Sequence, residues 1–116
     1  MRDAFYQNLE DILTKYQFIK NDNRYTIEYT CQKPGQTMIV NGQRIDQPPV
    51  SIPIKKEVTI IGDGSVSNED GSNEQGFTQI ELNLLINNEP NSAHHEAFMW
   101  DDINYFNKIL ANFNNL

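Results

Sequence analysis

Phe77-Thr78-Gln79-Ile80-Glu81-Leu82-Asn83-Leu84-Leu85-Ile86 (FTQIELNLLI) carries the clearest pattern in the chain. Ile80, Leu82, Leu84 and Ile86 fall on one face, and Gln79, Glu81, Asn83 and Leu85 on the other. A period of two sustained over this length is that of a half-buried strand. Upstream, Val58–Ile61 is a short apolar strand, and Gly62–Gly76 (GDGSVSNEDGSNEQG) separates the two as an acidic, nearly apolar-free loop. The simplest connection is a hairpin with this loop at its tip. A loop this long is unusual in a compact domain and is commonly functional or disordered.

Working outward toward the N-terminus, Val50, Ile52 and Ile54 alternate with Ser51, Pro53 and Lys55. Pro53 cannot donate to a ladder, so this piece reads as an edge strand or an extended connector. Asn41-Gly42, between Met38-Ile39-Val40 and Gln43-Arg44-Ile45, is a type I′ hairpin signal. It sets Val40 opposite Gln43 and Met38 opposite Ile45. Tyr25, Ile27, Tyr29 and Cys31 alternate with Thr26, Glu28 and Thr30, which predicts a half-buried strand with Cys31 in the core. Residues 3–20 place Phe5, Leu9, Ile12, Leu13 and Tyr16 at helical spacing, with Asp3 as the expected N-cap and Lys15 and Lys20 toward the carboxyl end.

Toward the C-terminus, Asn87–Ser92 reads as a turn-rich connection and His95–Trp100 as a short strand, with a helix from about Ser92 as the rival. Asp101-Asp102 suits a helix start, and Ile103, Phe106, Ile109, Leu110 and Phe113 form the stripe of a C-terminal helix. The fold class expected is α+β in a single domain, residues 1–116. An N-terminal helix, an antiparallel sheet of five to six strands and a C-terminal helix follow in order, with the helices on one face of the sheet. Hydrophobic residues at 38% suffice for a folded domain.

Charge is distributed unevenly. Residues 1–56 hold eight basic and six acidic side chains; residues 57–116 hold ten acidic ones and only Lys108, so +2 and −9 give the net −7. An acidic half disfavours direct binding to nucleic acid or to an anionic membrane. It suits a basic protein partner. Lone Cys31, together with an N-terminus that lacks a continuous apolar run, points to a cytoplasmic protein without disulfides. The richness in Asn, Gln, Lys and Ile is of bacterial or phage character.

No spacing points to catalysis, and no catalytic residue or cofactor is expected. With Asp63 as position one, Ser65, Ser67, Glu69, Gly71 and Glu74 match part of a calcium loop, but Asn68 stands where the sharp turn needs Gly and strands flank it. His94 and His95 are adjacent and point apart in an extended segment, so no metal centre is expected. The function expected is therefore binding: a small acidic protein that docks an electronegative surface on a basic partner. In composition alone it resembles immunity proteins and phage inhibitors of nucleases, in which carboxylates act as a nucleic-acid mimic. The residues expected to meet the partner are Asp63, Glu69, Asp70, Glu74, Glu81 and Glu89, with Trp100 as an aromatic anchor beside Asp101-Asp102. The alternatives are a secretion chaperone or assembly adaptor that uses a sheet face and edge, and a small-molecule or divalent-metal-binding domain with a pocket lined by Tyr25, Tyr29, Phe98 and Trp100. The chain is expected to be a monomer or a homodimer, the latter through pairing of an edge strand.

Overall fold

The computed structural model describes residues 1–65, 67–72 and 76–116. An N-terminal helix α1 (Arg2–Lys15) leads into β1 (Ile19–Asn21) and β2 (Arg24–Lys33). A ribbon of β3 (Thr37–Val40) and β4 (Gln43–Asp46) follows, then β5 (Val50–Gly64), β6 (Phe77–Ile86), β7 (Glu89–Met99) and α2 (Ile103–Asn114). Five strands form one antiparallel sheet in the order β1-β2-β5-β6-β7, and β3-β4 stand apart as a two-stranded sheet. The α+β architecture with terminal helices is as the sequence predicts.

Cross-strand partners share a face, so the register defines the core. Tyr25 pairs with Val58, Val58 with Leu82, and Ile60 with Ile80, and this face carries the buried side chains of the sheet. They join one cluster with Phe5, Leu9 and Leu13 of α1, Phe106, Leu110 and Phe113 of α2, and Phe98 of β7. Lys56 lies in the same row and is buried, with Nζ donating to the Asn114 carbonyl at 2.9 Å. It caps the carboxyl end of α2, where the helix dipole favours a cation.

Four local expectations are corrected. The first helix stops at Lys15, because Gln17 adopts a φ of +70° and the chain reverses into β1, which pairs with β2. Its N-cap position is Met1, not Asp3, and no side chain caps it. Val50–Ile54 and Val58–Ile61 belong to one strand rather than two: Val58–Ile61 lies between β2 and β6, while Val50–Pro53 pairs with β2 alone and keeps one open edge. Pro53 is tolerated because β6 ends at Ile86, opposite Ile54; the Pro53 carbonyl accepts from Asn87 N at 2.9 Å, and its missing N–H faces the same side, where no strand continues. Finally, the connection before β7 is only Asn87-Asn88, both at positive φ, 54° and 64°. Such a two-residue turn matches strand twist as Asn-Gly does, so β7 begins at Glu89.

The molecule is long. Its radius of gyration is 20.4 Å and its extents are 80 × 28 × 23 Å, whereas a compact chain of this length has a radius near ~13 Å. The reason is that β2 and β5 outrun their neighbours. Beyond Ile54 they pair only with each other, Thr30 to Lys33 against Pro53 to Val50. The β3-β4 ribbon continues beyond them. At the junction the Gln47 N–H donates to the Gln36 carbonyl at 2.9 Å. Gly35 passes so close that a Cβ there would lie 1.8 Å from the Gln47 carbonyl oxygen. The result is a helix-bearing body and a projecting β-arm.

Candidate interaction surfaces

The acidic loop begins with a β-bulge. Ile60 pairs with Ile80 and Gly62 with Gln79, so Ile61 is skipped and the alternation inverts. Asp63, which would otherwise face outward, now shares a face with its partner Thr78 on the core side. Arg2 Nε donates to Asp63 Oδ2 at 2.6 Å, the Tyr6 hydroxyl donates to Oδ1, and the Thr78 hydroxyl lies 3.1 Å from Oδ1. Thr78 in turn accepts from Trp100 Nε1 at 3.0 Å. Burial pushes the Asp63 carboxyl up, but the bonds from Tyr6, Arg2 and Thr78 outweigh it and hold the group below its ordinary value. Asp63 and Trp100 are thus the ends of one side-chain network, exposed at Asp63 and half-buried at Trp100, that ties α1 to β5, β6 and the approach to α2. Trp100 also covers Gly76, where a Cβ would stand 2.3 Å from its ring.

The remaining acidic residues fall into three places. Glu69 and Asp70 are exposed on a tight turn in which Asn68 N donates to the Ser72 carbonyl at 2.6 Å and Ser72 N to Asp70 Oδ1 at 2.9 Å. The Ser72 bonds lower the pKa of Asp70. Glu74 lies outside the described residues. Glu81 sits on the face opposite the core, accepts from Asn83 Nδ2 at 2.9 Å and lies 3.6 Å from His95. Glu89 is exposed at the start of β7, and Asp101 just beyond its end. Glu69, Asp70, Glu89 and Asp101 have no Lys or Arg ion-pair partner among the described residues. Asp102 caps α2, its Oδ1 accepting from Tyr105 N at 3.3 Å.

The two histidines separate as the extended segment requires. His94 faces the core side and approaches Glu96 at 2.7 Å, while His95 lies on the opposite face near Glu81. Glu96 also accepts from the Tyr105 hydroxyl. Burial raises the Glu96 carboxyl and the bonds from Tyr105 and His94 lower it, with lowering dominant. Among the described residues, no three His, Cys, Asp or Glu side chains converge as a metal site would require. No described helix is long and apolar enough to cross a membrane.

The aromatic residues do not gather into one pocket. Tyr25 and Phe98 are buried in the core, Trp100 packs against it, and Tyr29 is exposed on the arm base. A small apolar groove of about 180 Å³ does open at the carboxyl end of α2, lined by Leu82, Ser92, His94, Ile109, Phe113 and Leu116.

The arm was not legible as an arm. Every residue from 28 to 51 is exposed except Gly35, which is half-buried. Cys31 is therefore on the surface, contrary to the core placement that its alternation with Tyr25 and Ile27 predicts. The core ends before the strand does. On the ribbon, Met38 pairs with Ile45 and Val40 with Gln43, so Met38, Val40 and Ile45 share one face. Each keeps more than two-fifths of its surface exposed, and Ile39 on the other face keeps 78%. The signal that could have revealed this is the pair of breaks, Pro34-Gly35 and Pro48-Pro49, which sever the Asn41-Gly42 hairpin from the main sheet on both strands.

Comparison with protein-family models, with curated proteins and with solved structures finds no match for this chain.

Proposed function

We propose that this protein is a non-catalytic binding protein, an assembly adaptor that holds a protein partner through its arm. The observation that carries the reading is the apolar surface that the arm leaves exposed: Met38, Val40 and Ile45 on one face of the ribbon, Ile39 on the other, and Tyr29 and Val50 at its base. An isolated two-stranded ribbon is marginal in water. Contiguous apolar surface on an otherwise polar molecule marks a site of protein contact. The arm also leaves both long edges of β3-β4 without a strand neighbour, which suits main-chain pairing with a partner.

The test is affinity capture from the native host with the wild-type chain and with M38E/I45K. The paired charges keep the ribbon's cross-strand complementarity while removing its apolar face. Loss of the same captured protein from the variant supports the reading; an unchanged set overturns it.

A second reading is favoured by the exposed carboxylates Glu69, Asp70, Glu89 and Asp101, which lack Lys or Arg partners among the described residues. In it, the acidic end of the body docks on a basic protein in the manner of an inhibitor, with attraction that speeds association and weakens with salt. Substituting Glu69→Gln, Asp70→Asn and Glu89→Gln together is then expected to slow association and flatten its salt dependence. Unchanged kinetics count against this reading and leave the arm as the binding surface.

A further inference from the structure

Resting on the reading of the acidic end as a docking surface for a basic protein, we propose that the partner supplies an extended segment. This segment pairs with the open edge of β7 and sets an apolar side chain into the groove at the end of α2.

Main-chain geometry gives the first argument. β7 is the last strand of its sheet, and among the described residues no strand pairs with its other side. The two-residue turn Asn87-Asn88 closes on the pair Ile86–Glu89, whose peptide groups bond each other. Along β6 the bonds to β7 then recur at Leu84, Leu82 and Ile80, and their partners Ser92, His94 and Glu96 turn their peptide groups inward. Ala93, His95 and Ala97 turn theirs outward, and all three are exposed. N–H and C=O groups repeated at alternate residues are matched by the main chain of another extended segment.

The groove gives the second. It combines buried Leu82 and Phe113 with Ile109 and the exposed Leu116, and its β7 side is Ser92 and His94. These two side chains lie on the core face of the edge strand itself, so a strand added beside β7 projects alternate side chains toward the groove. At about 180 Å³ the groove is smaller than a site for a whole small molecule and suits a side chain. On the opposite face, small Ala93 and Ala97 flank His95, and a hollow of about 280 Å³ opens beside Ala97. The intervening side chains of the added strand therefore have room.

Charge fixes the chemistry of the segment. Residues 89–114 hold Glu89, Glu96, Asp101 and Asp102 against Lys108, four acidic and one basic, net −3. The bulge between Leu84 and Leu85 puts Glu89, opposite Ile86, on the same face as Ser92, His94 and Glu96. Carboxylates thus stand at both ends of the groove's β7 side, and the last turn of α2 holds no basic residue. Lys or Arg on either side of an apolar anchor meets opposite charge at each end, whereas an acidic segment is repelled.

The probe is the blocked peptide KTVTVTK, titrated to millimolar concentration into the isotope-labelled full chain. Its Lys residues are spaced as Glu89 and Glu96 are, whose partners Ile86 and Ile80 lie six steps apart on β6. Wild type is expected to bind it with slowed exchange of the Ala93 and His95 amides. Ala93→Pro removes an outward N–H without removing a bond to β6. Leu116→Asn removes an apolar wall at an exposed position. Each is expected to weaken binding about tenfold while far-UV circular dichroism is retained. The peptide N-methylated at its Thr residues, which face the β7 edge, is expected not to bind, a result that needs no change in the protein. Equal binding by wild type, both variants and the methylated peptide overturns the proposal and leaves the electrostatic reading standing, because attraction then needs neither edge nor groove. An absence of binding also overturns it, and the association kinetics of the triple carboxylate variant with the captured partner then decide the second reading separately.

Discussion

The body and the arm are built from the same two strands under opposite conditions. In the body, β2 and β5 are flanked by β1 and β6, and Tyr25 and Val58 are buried in a core to which both helices contribute. A few residues further along the same strands, Tyr29, Cys31 and Val50 are exposed with the same alternation. Alternation therefore reports which side a residue faces and not whether anything lies there. The covering elements decide that. They stop near Lys56, whose buried ammonium closes the end of α2.

The comparison is broken most strongly by truncation in the body. Phe98→Ala removes a fully buried ring packed edge-on against Phe106, 5.3 Å between centroids. It is expected to cost about 3–5 kcal/mol in urea denaturation. The matching truncation in the arm, Val40→Ala, is expected to change the unfolding free energy by under about 0.5 kcal/mol.

Asp63→Asn tests the network between the regions of the body. It leaves Tyr6 and Arg2 without their charged acceptor, and a loss of about 1–3 kcal/mol is expected for a charge-assisted set of this kind. The pH dependence has a definite sign. The folded Asp63 carboxyl titrates below its ordinary value of 3.8, so its stabilising contribution is complete above that pH and is lost as pH falls through the lower, folded value. The acid limb of a stability–pH curve below pH 3.8 is therefore expected to be shallower in Asp63→Asn, with Glu96, also lowered, supplying part of what remains.

The smallest effect on global stability is expected at the arm junction. Gly35→Ala places a methyl 1.8 Å from the Gln47 carbonyl, so the junction must open. Amide exchange of residues 37–46 is expected to accelerate while the body's exchange and melting temperature stay unchanged. If the body also loses protection, the two regions are energetically one unit and the comparison fails.

The sequence displayed periodicity and turn chemistry well. FTQIELNLLI, the Asn41-Gly42 turn and the stripe of α2 are all where their patterns place them. Three things were hidden for physical reasons. The bulge at Ile61 changes register without any local marker beyond Gly62, so Asp63 read as a loop carboxylate when it faces Tyr6 and Thr78. Asn87-Asn88 turns the chain as Asn-Gly does, but it lacks the glycine that announces such a turn. The arm depends on where β6 and the helices end, which is a property of the whole fold. Of the residues expected to meet a partner, Glu69, Asp70, Glu89 and Asp63 are exposed, Asp63 while bonded to Arg2, Tyr6 and Thr78, and Glu81 and Trp100 are half-buried. Glu74 falls outside the described residues.

The continuity of β2 and β5 from core to arm has a mechanical side. Two strands without a hinge glycine between Arg24 and Lys33 or between Val50 and Ile61 form a beam clamped at one end. Four residue pairs beyond Ile54 give this beam a reach of roughly 13 Å, so a tilt of about ten degrees at the clamp moves its end by roughly 2 Å. A disturbance at the body is carried without a hinge as far as Lys33 and Val50, and the breaks at Pro34-Gly35 and Pro48-Pro49 separate the ribbon from it.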